Sequence, residues 1–289
     1  MTPDLLGQTV INGLLIGFVF ALCAVGLSLI WGMVEIVNFA HGEFLMVGMY
    51  VAFWMYTLFA IDPLVSLPVA TLTLAVFGVA THQLIIRRVL RAPMLAQIIA
   101  TFGLSIFLRA VAQFLFTPNF RVIEHSSVSD GRIALGGLYI GLPQLVAALG
   151  ALVGFAFIYW TVEKTTIGRA MMATAEDREA ASLMGIDQNK MWSLAWGIGA
   201  GAVGMAGGLL STFYYIQPEV GQIFGLVSFI VVALGGFGSI PGAFIAGLIV
   251  GLVQVFAGFF IAPELKWAVV ASIYLFVVLL RPQGLFGKF

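Results

Sequence analysis

The chain has 289 residues, of which 61% are hydrophobic and 9% charged, against roughly 25% charged in an average soluble domain; with a mean hydropathy of +1.09, a water-soluble globule is excluded. Thirteen Lys and Arg balance thirteen Asp and Glu, so no net basic field is present to hold nucleic acid. A single cysteine, Cys23 in an apolar run, excludes a disulfide framework within the chain and a cysteine-based metal cluster, and reads as a small buried hydrophobe.

The opening Met-Thr-Pro-Asp puts no Lys or Arg ahead of the first apolar run, so that run is expected to stay as a span rather than to be removed as a signal. About 20 apolar residues cross the hydrocarbon core as a helix, and each central charge costs about 2.5–3.5 kcal/mol. Charge-free runs therefore locate the spans. They are Leu5–Val34 (30 residues), Phe44–Ile61 (18), Pro63–Ile86 (24), Ala92–Leu108 (17, extended past Arg109), Ile133–Val162 (30), Met191–Pro218 (28) and Val220–Pro263 (44). The last contains Gly235-Gly236-Phe237-Gly238-Ser239-Ile240-Pro241-Gly242, which divides it into two helices. A final span follows at about Pro263–Leu280. Composition thus predicts an all-α, polytopic membrane protein of nine helical passes, forming one membrane domain over residues 1–289. The count becomes eight or ten if Glu35–Gly42 or Gly235–Gly242 is a break inside the membrane rather than a turn at its surface.

Short loops rich in Lys and Arg stay in the cytoplasm. Arg87, Arg88 and Arg91 mark one such loop, Lys164, Arg169, Arg178 and Lys190 a second, and Arg281 and Lys288 place the C-terminus at Phe289 on the same side. Thr117–Arg132 then falls outside, and nine passes require an external N-terminus. The longest connection, residues 163–190, is too short for an enzyme domain, since even a marginal independent fold needs roughly 40 residues.

Within Met94–Phe116 the polar side chains are Gln97, Thr101, Ser105, Arg109 and Gln113, each four residues from the last. At 100° per residue they form one slanting stripe. Such a stripe is either a set of polar contacts between packed helices or a wall of an aqueous path. Pairs of glycines four apart (Gly13 and Gly17, Gly197 and Gly201, Gly204 and Gly208, Gly247 and Gly251) predict close helix packing. Glu35–Glu43 joins two apolar runs with Glu35, Asn38 and His41 three residues apart. It is either an interfacial turn or a helix break whose freed backbone and polar side chains line a path. The cluster at Gly235–Gly242 has the same two readings and is not a dinucleotide fingerprint, because no strand precedes it.

Residues 163–190 gather nine charges in a chain that otherwise avoids them. Thr174–Met184 followed by Gly185 reads as a short helix with acidic residues in its first turn and a glycine stop. The chain has no GxxxxGK[ST] phosphate loop, so any ATPase acts in trans. Nor is there an HExxH metal set, and His41, His82 and His125 lie far apart. A stand-alone secondary transporter would need buried carboxylates. Glu35, Glu43, Asp62, Glu219 and Glu264 all fall near expected span ends, which argues against that class.

Gly26-Leu27-Ser28-Leu29-Ile30-Trp31-Gly32, Asn38-Phe39-Ala40-His41-Gly42, Gly168-Arg169-Ala170, Ala180-Ala181 through Gly185-Ile186, Ala206-Gly207-Gly208, the Gly235–Gly242 cluster and Arg281-Pro282-Gln283-Gly284-Leu285 together resemble the permease subunits of branched-chain amino-acid ABC transporters, in particular the Liv H-type subunit. The resemblance runs along nearly the whole chain. It implies an importer in a bacterial inner membrane for branched-chain or related hydrophobic amino acids. The chain would pair with a second, related permease, two cytoplasmic ATPases that bind ATP and magnesium, and an external solute-binding protein, with no cofactor of its own. Similar permeases serve urea or short amides. Glu179-Ala180-Ala181 with Gly185 resembles the start of the EAA motif, whose helix sits in a groove of the ATPase; the later Ile-x-Leu-Pro part is absent, Ser193–Ile198 reading Ser-Leu-Ala-Trp-Gly-Ile. The resemblance also places Asn38, His41, Gly236, Gly238 and Ser239 near the translocation path, beside the stripe candidates Gln97, Thr101, Ser105 and Arg109.

Overall fold

The computed structural model describes residues 3–129 and 131–287; Lys288 and Phe289, to which the C-terminal side was assigned, lie outside them. Among the described residues, nine apolar helices form one bundle. In chain order they are α1 (Pro3–Val34), α2 (His41–Phe59), α3 (Leu67–Val89), α4 (Met94–Phe116) and α5 (Leu142–Lys164), then, after two short helices α6 (Thr166–Glu176) and α7 (Arg178–Leu183), α8 (Gln188–Leu210), α9 (Val220–Gly235), α10 (Ile240–Phe260) and α11 (Lys266–Leu280). Seven of the nine are long and apolar enough to cross a membrane, while α9 and α11 are shorter. The chain is a multi-pass membrane protein.

Helices α1 and α8 form the interior, and α4 is the most exposed long helix. Among apolar side chains burial alone cannot order helices in lipid, so close backbone approach does. A methyl on Gly13 would stand 2.9 Å from Leu252 Cα of α10, one on Gly26 would stand 2.5 Å from the Gly199 carbonyl of α8, and one on Gly204 would stand 2.6 Å from Leu74 Cβ of α3. Members of the glycine pairs, Gly13 and Gly204, are thus contact points of the bundle, as is Gly26, which belongs to no pair.

Two expectations are corrected. The run from Ile133 does not begin as helix: β1 (Arg132–Leu135) and β2 (Leu138–Gly141) form an antiparallel hairpin turned at Gly136-Gly137, both at positive φ, as a two-residue hairpin turn demands. Span five starts only at Leu142. The loop helix expected over Thr174–Met184 is two helices, because Asp177 leaves helical geometry and its carboxylate accepts from the Glu179 and Ala180 amides, starting α7 afresh. The chain between Gly235 and Gly242 does divide the long run, as a tight turn.

Contacts sort the connections into two ends. At one end Gly238 meets Gly32, the tail docks on α9 through Leu285 N–H to the Leu234 carbonyl at 2.8 Å, and Arg87, Asp187 and Lys190 line one cavity. At the other, Gln8 bonds the Tyr139 backbone, the Ser127 amide donates to Asp62 at 2.6 Å, and Arg121 pairs with Ile216. The loops that hold Arg87 and that hold Asp187 and Lys190 share the first end, and residues 117–129 and 131–141 lie at the second.

Candidate functional site

The segment between α1 and α2 decides where the site lies. After Val34 the chain turns at Glu35, which has φ 56°, and runs back along the bundle without helix to Ala40. Asn38 is wholly buried and its side-chain oxygen accepts from the Ala40 amide at 3.1 Å. His41 Nε2 donates to the Cys23 carbonyl at 2.9 Å. Cys23 lies eleven residues before the α1 terminus, about 16 Å at 1.5 Å per residue, which is half of a hydrocarbon core about 30 Å thick. Helix α2 therefore starts at mid-depth. Of the two readings of Glu35–Gly42, the break inside the bundle is the one observed.

Helix α9 starts at the same level. A methyl on Gly42 would stand 2.7 Å from Gly225 Cα and 2.8 Å from its nitrogen, so the first turns of α2 and α9 touch backbone to backbone. Fourteen residues separate Gly221 from Gly235 at the bundle end, about 21 Å of helix. Two helix N-termini, each with unpaired amides and a partial positive charge, thus meet inside the membrane.

Glu43 stands in the first turn of α2, and its side chain is 2% exposed. Its Oε1 accepts from Arg109 Nη2 at 2.5 Å and from the Ser105 hydroxyl at 3.2 Å. Its Oε2 lies against Gly221 and has no hydrogen-bond partner among the described residues, and the same holds for Asn38 Nδ2 and His41 Nδ1. Arg109 is 23% exposed. With the Gln222 amide turned so that its oxygen faces the guanidinium, that oxygen accepts from Arg109 Nε at 3.2 Å and from Nη1. Each charge alone would be costly at this depth. Together they are neutral, and the helix dipole of α2 favours the carboxylate further.

The stripe on α4 faces this strap. Thr101 donates to the Val37 carbonyl at 2.9 Å, and Ser105 and Arg109 reach Glu43. Gln97 closes the α3–α4 turn instead, donating to the Leu90 and Ala92 carbonyls. Gly236, Gly238 and Ser239 lie elsewhere: Gly236 and Gly238 have φ of 101° and 79°, and Ser239 caps α10 by accepting from Gly242 N–H at 3.1 Å. Since Gly238 meets Gly32, nine residues from Cys23, this turn is about 13 Å from the His41 level. Sequence reasoning missed Glu43 and Gln222. In the sequence Glu43 reads as a span-end carboxylate, but the end on which it lies is at mid-depth.

A family model described as branched-chain amino acid transport system / permease component matches residues 9–279. The chain belongs to this family. Curated relatives include the high-affinity branched-chain amino acid transport system permease proteins BraD of Pseudomonas aeruginosa, 31% identical, and LivH of Escherichia coli K12, also 31% identical. LivH of Salmonella typhimurium is 32% identical. Each alignment covers 97% of this chain and 95% of the relative. No solved structure matches.

In this permease the residues expected to meet an ATPase occupy α7 and its exit. Glu179 and Ala180 are exposed, whereas Ala181 is buried within the chain itself. Gly185 has φ 81° and open space around it; a glycine is demanded there by the left-handed helix stop, not by a close neighbour. The apolar Leu183 and Met184 are 89% and 82% exposed.

Proposed function

We propose that the chain is a membrane-spanning subunit of a binding-protein-dependent, ATP-driven importer for branched-chain or related hydrophobic amino acids, in a bacterial inner membrane with the α6–α7 end in the cytoplasm. The observation that carries this reading is the permease family match over residues 9–279, joined to relatives whose names state branched-chain amino-acid transport. Energy enters through partners, because the chain contains no phosphate loop. The tip formed by Leu183 and Met184, with Glu179 and Ala180 beside it, suits a groove on an ATPase that binds ATP and magnesium. Two bare apolar side chains side by side on a short polar loop are a docking signature rather than a solvated face. A second, related permease completes the bundle, and an external binding protein delivers the solute at the end carrying residues 117–141. Asn38, His41, Thr101, Ser105, Arg109 and Glu43 border the translocation path. The test is reconstitution of the chain with the ATPases, second permease and binding protein encoded beside it. Leucine uptake that requires both ATP and the binding protein is expected; leucine movement driven by an ion gradient with the chain alone would refute the reading.

A further inference from the structure

The geometry points to a zwitterion site half-way along the permease, in which Arg109 and Gln222 receive the carboxylate of the amino acid while its aliphatic side chain lies toward Phe39, Phe102 and Phe229. This rests on the importer reading above and adds the residues that read the solute. The first observation is the direction in which Arg109 is open. Glu43 and Ser105 hold it from inside the bundle through Nη2 and Oε1, leaving the edge formed by Nε and Nη1. That edge is occupied by the side-chain oxygen of Gln222, which is exposed on α9. The Nε–Nη1 edge is a fork that matches the two oxygens of a carboxylate. A neutral amide oxygen there is a weaker acceptor than a carboxylate, so a solute displaces it with a net gain, and the Gln222 amide turns to donate its N–H to the same carboxylate.

The second observation is charge. Glu43 already neutralises Arg109, so a lone carboxylate would leave the site with one uncompensated negative charge in low dielectric, at a cost of several kcal/mol. A zwitterion brings its own ammonium and leaves the sum at zero. The site therefore takes amino acids and rejects fatty acids of the same shape. The third observation is what lies next to it. Phe102 is seven residues from Arg109 and Phe229 seven from Gln222, two helical turns or about 10 Å in each case, on the same helix faces. Phe39 of the strap closes the gap between them, with its ring centroid 6.2 Å from that of Phe102 and 5.2 Å from that of Phe229. Leu226 stands between Gln222 and Phe229 and is exposed. A polar end with an aromatic and aliphatic floor one to two turns away fits a short branched side chain.

The test uses the reconstituted complex with its binding protein. Gln222 is exposed, so Gln222→Leu leaves the packed interior intact; it is expected to lower leucine uptake at least fivefold at equal complex abundance, whereas the lipid-facing Phe107→Leu stays within twofold of wild type. Because Arg109→Leu alone strands a buried carboxylate, it is combined with Glu43→Gln. The double variant restores neutrality, and its uptake is expected below one tenth of wild type; recovery to within twofold would reduce the pair to a packing element and overturn the site. In a Cys23→Ser background, Gln222→Cys is expected to react with a charged methanethiosulfonate and to be shielded by leucine-loaded binding protein during turnover. A cysteine there that stays unreactive overturns the site as well. A wild-type complex that moves no leucine overturns the importer reading and this proposal with it, while wild-type leucine uptake beside an unaffected Gln222→Leu overturns this proposal alone.

Discussion

The same substitution, glycine to alanine, is expected to change stability in opposite directions at two places. Gly103 lies in the interior of α4 with nothing within 4 Å of the added carbon, so Gly103→Ala gains only helix propensity, about 0.8–1 kcal/mol. At Gly42 the new methyl finds Gly225 Cα at 2.7 Å and its nitrogen at 2.8 Å, where carbon contacts are favourable at about 3.5–4.0 Å. The Gly221 carbonyl oxygen stands closer still; all three obstacles are backbone, so no rotamer change relieves them, and α2 and α9 must separate by at least about 0.8 Å. A gap of that size forfeits a quarter to a half of each contact's attraction along the joint, and overpacking costs about 1–3 kcal/mol. Net of a small propensity gain near the helix start, Gly42→Ala is expected to destabilise by about 2 kcal/mol, a factor of roughly 30 in the folded ratio. The two variants then differ by about 3 kcal/mol. Reversible unfolding in mixed micelles on titration with dodecyl sulfate, followed by tryptophan fluorescence, measures this. A Gly42→Ala protein as stable as wild type would refute the placement of the α2 start against α9.

Glu43→Leu, which strands Arg109, is expected to cost about 3 kcal/mol in the same assay, and Phe107→Leu less than about 0.5 kcal/mol; equal midpoints would mean that the pair is not formed. For topology in intact cells lacking Cys23, Ser127→Cys is expected to react with an impermeant reagent added outside and Arg178→Cys not to react, the reverse result inverting the bundle. Leu183→Asp is expected to remove ATPase co-purification while the permease stays inserted, since the side chain is 89% exposed; retained ATPase would remove α7 from the coupling role. Gly185→Trp is a poorer probe of the same role, because φ of 81° strains any side chain there whether or not a partner is present.

Most of the bundle was legible because lipid allows few ways to satisfy a backbone: charge-free runs became helices, and Gly235–Gly242 became a turn. The first strand of the hairpin was hidden because Ile133–Leu135 is as apolar as the helix after it, and only Gly136-Gly137 marked the change. The site was harder for a specific reason. Hydropathy along the chain assigns depth by distance from a span end, and Glu43 is one residue before the run Phe44–Ile61. Its true depth is set by a tertiary bond, His41 to the Cys23 carbonyl, and by six non-helical residues that carry the chain back into the bundle. Nothing in the local pattern encodes that return. The four-residue stripe did point to Arg109, but a partner on another helix and an amide in a charge-free run have no signature in a single sequence.

The polar stripe also explains how α4 is held. It is the most exposed long helix of the bundle, and its hydrophobic side chains Ile99, Phe102, Ile106 and Phe107 are exposed; apolar contact gives such a helix no preference for protein over lipid. What fixes it are the bonds of one face: Gln97 to the turn carbonyls, Thr101 to Val37, Ser105 and Arg109 to Glu43. These attach α4 to the strap and to the start of α2, two segments that already lack helical continuity with α1. A helix tied by a few polar bonds can exchange them for others at modest cost, whereas one seated by glycine contacts, as α8 is on α1 and α3, cannot move without losing its packing. The bundle therefore joins an interior of α1, α3, α8 and α10 seated by glycine contacts to an edge helix, α4, held by polar bonds, and the charged pair lies on the boundary between them.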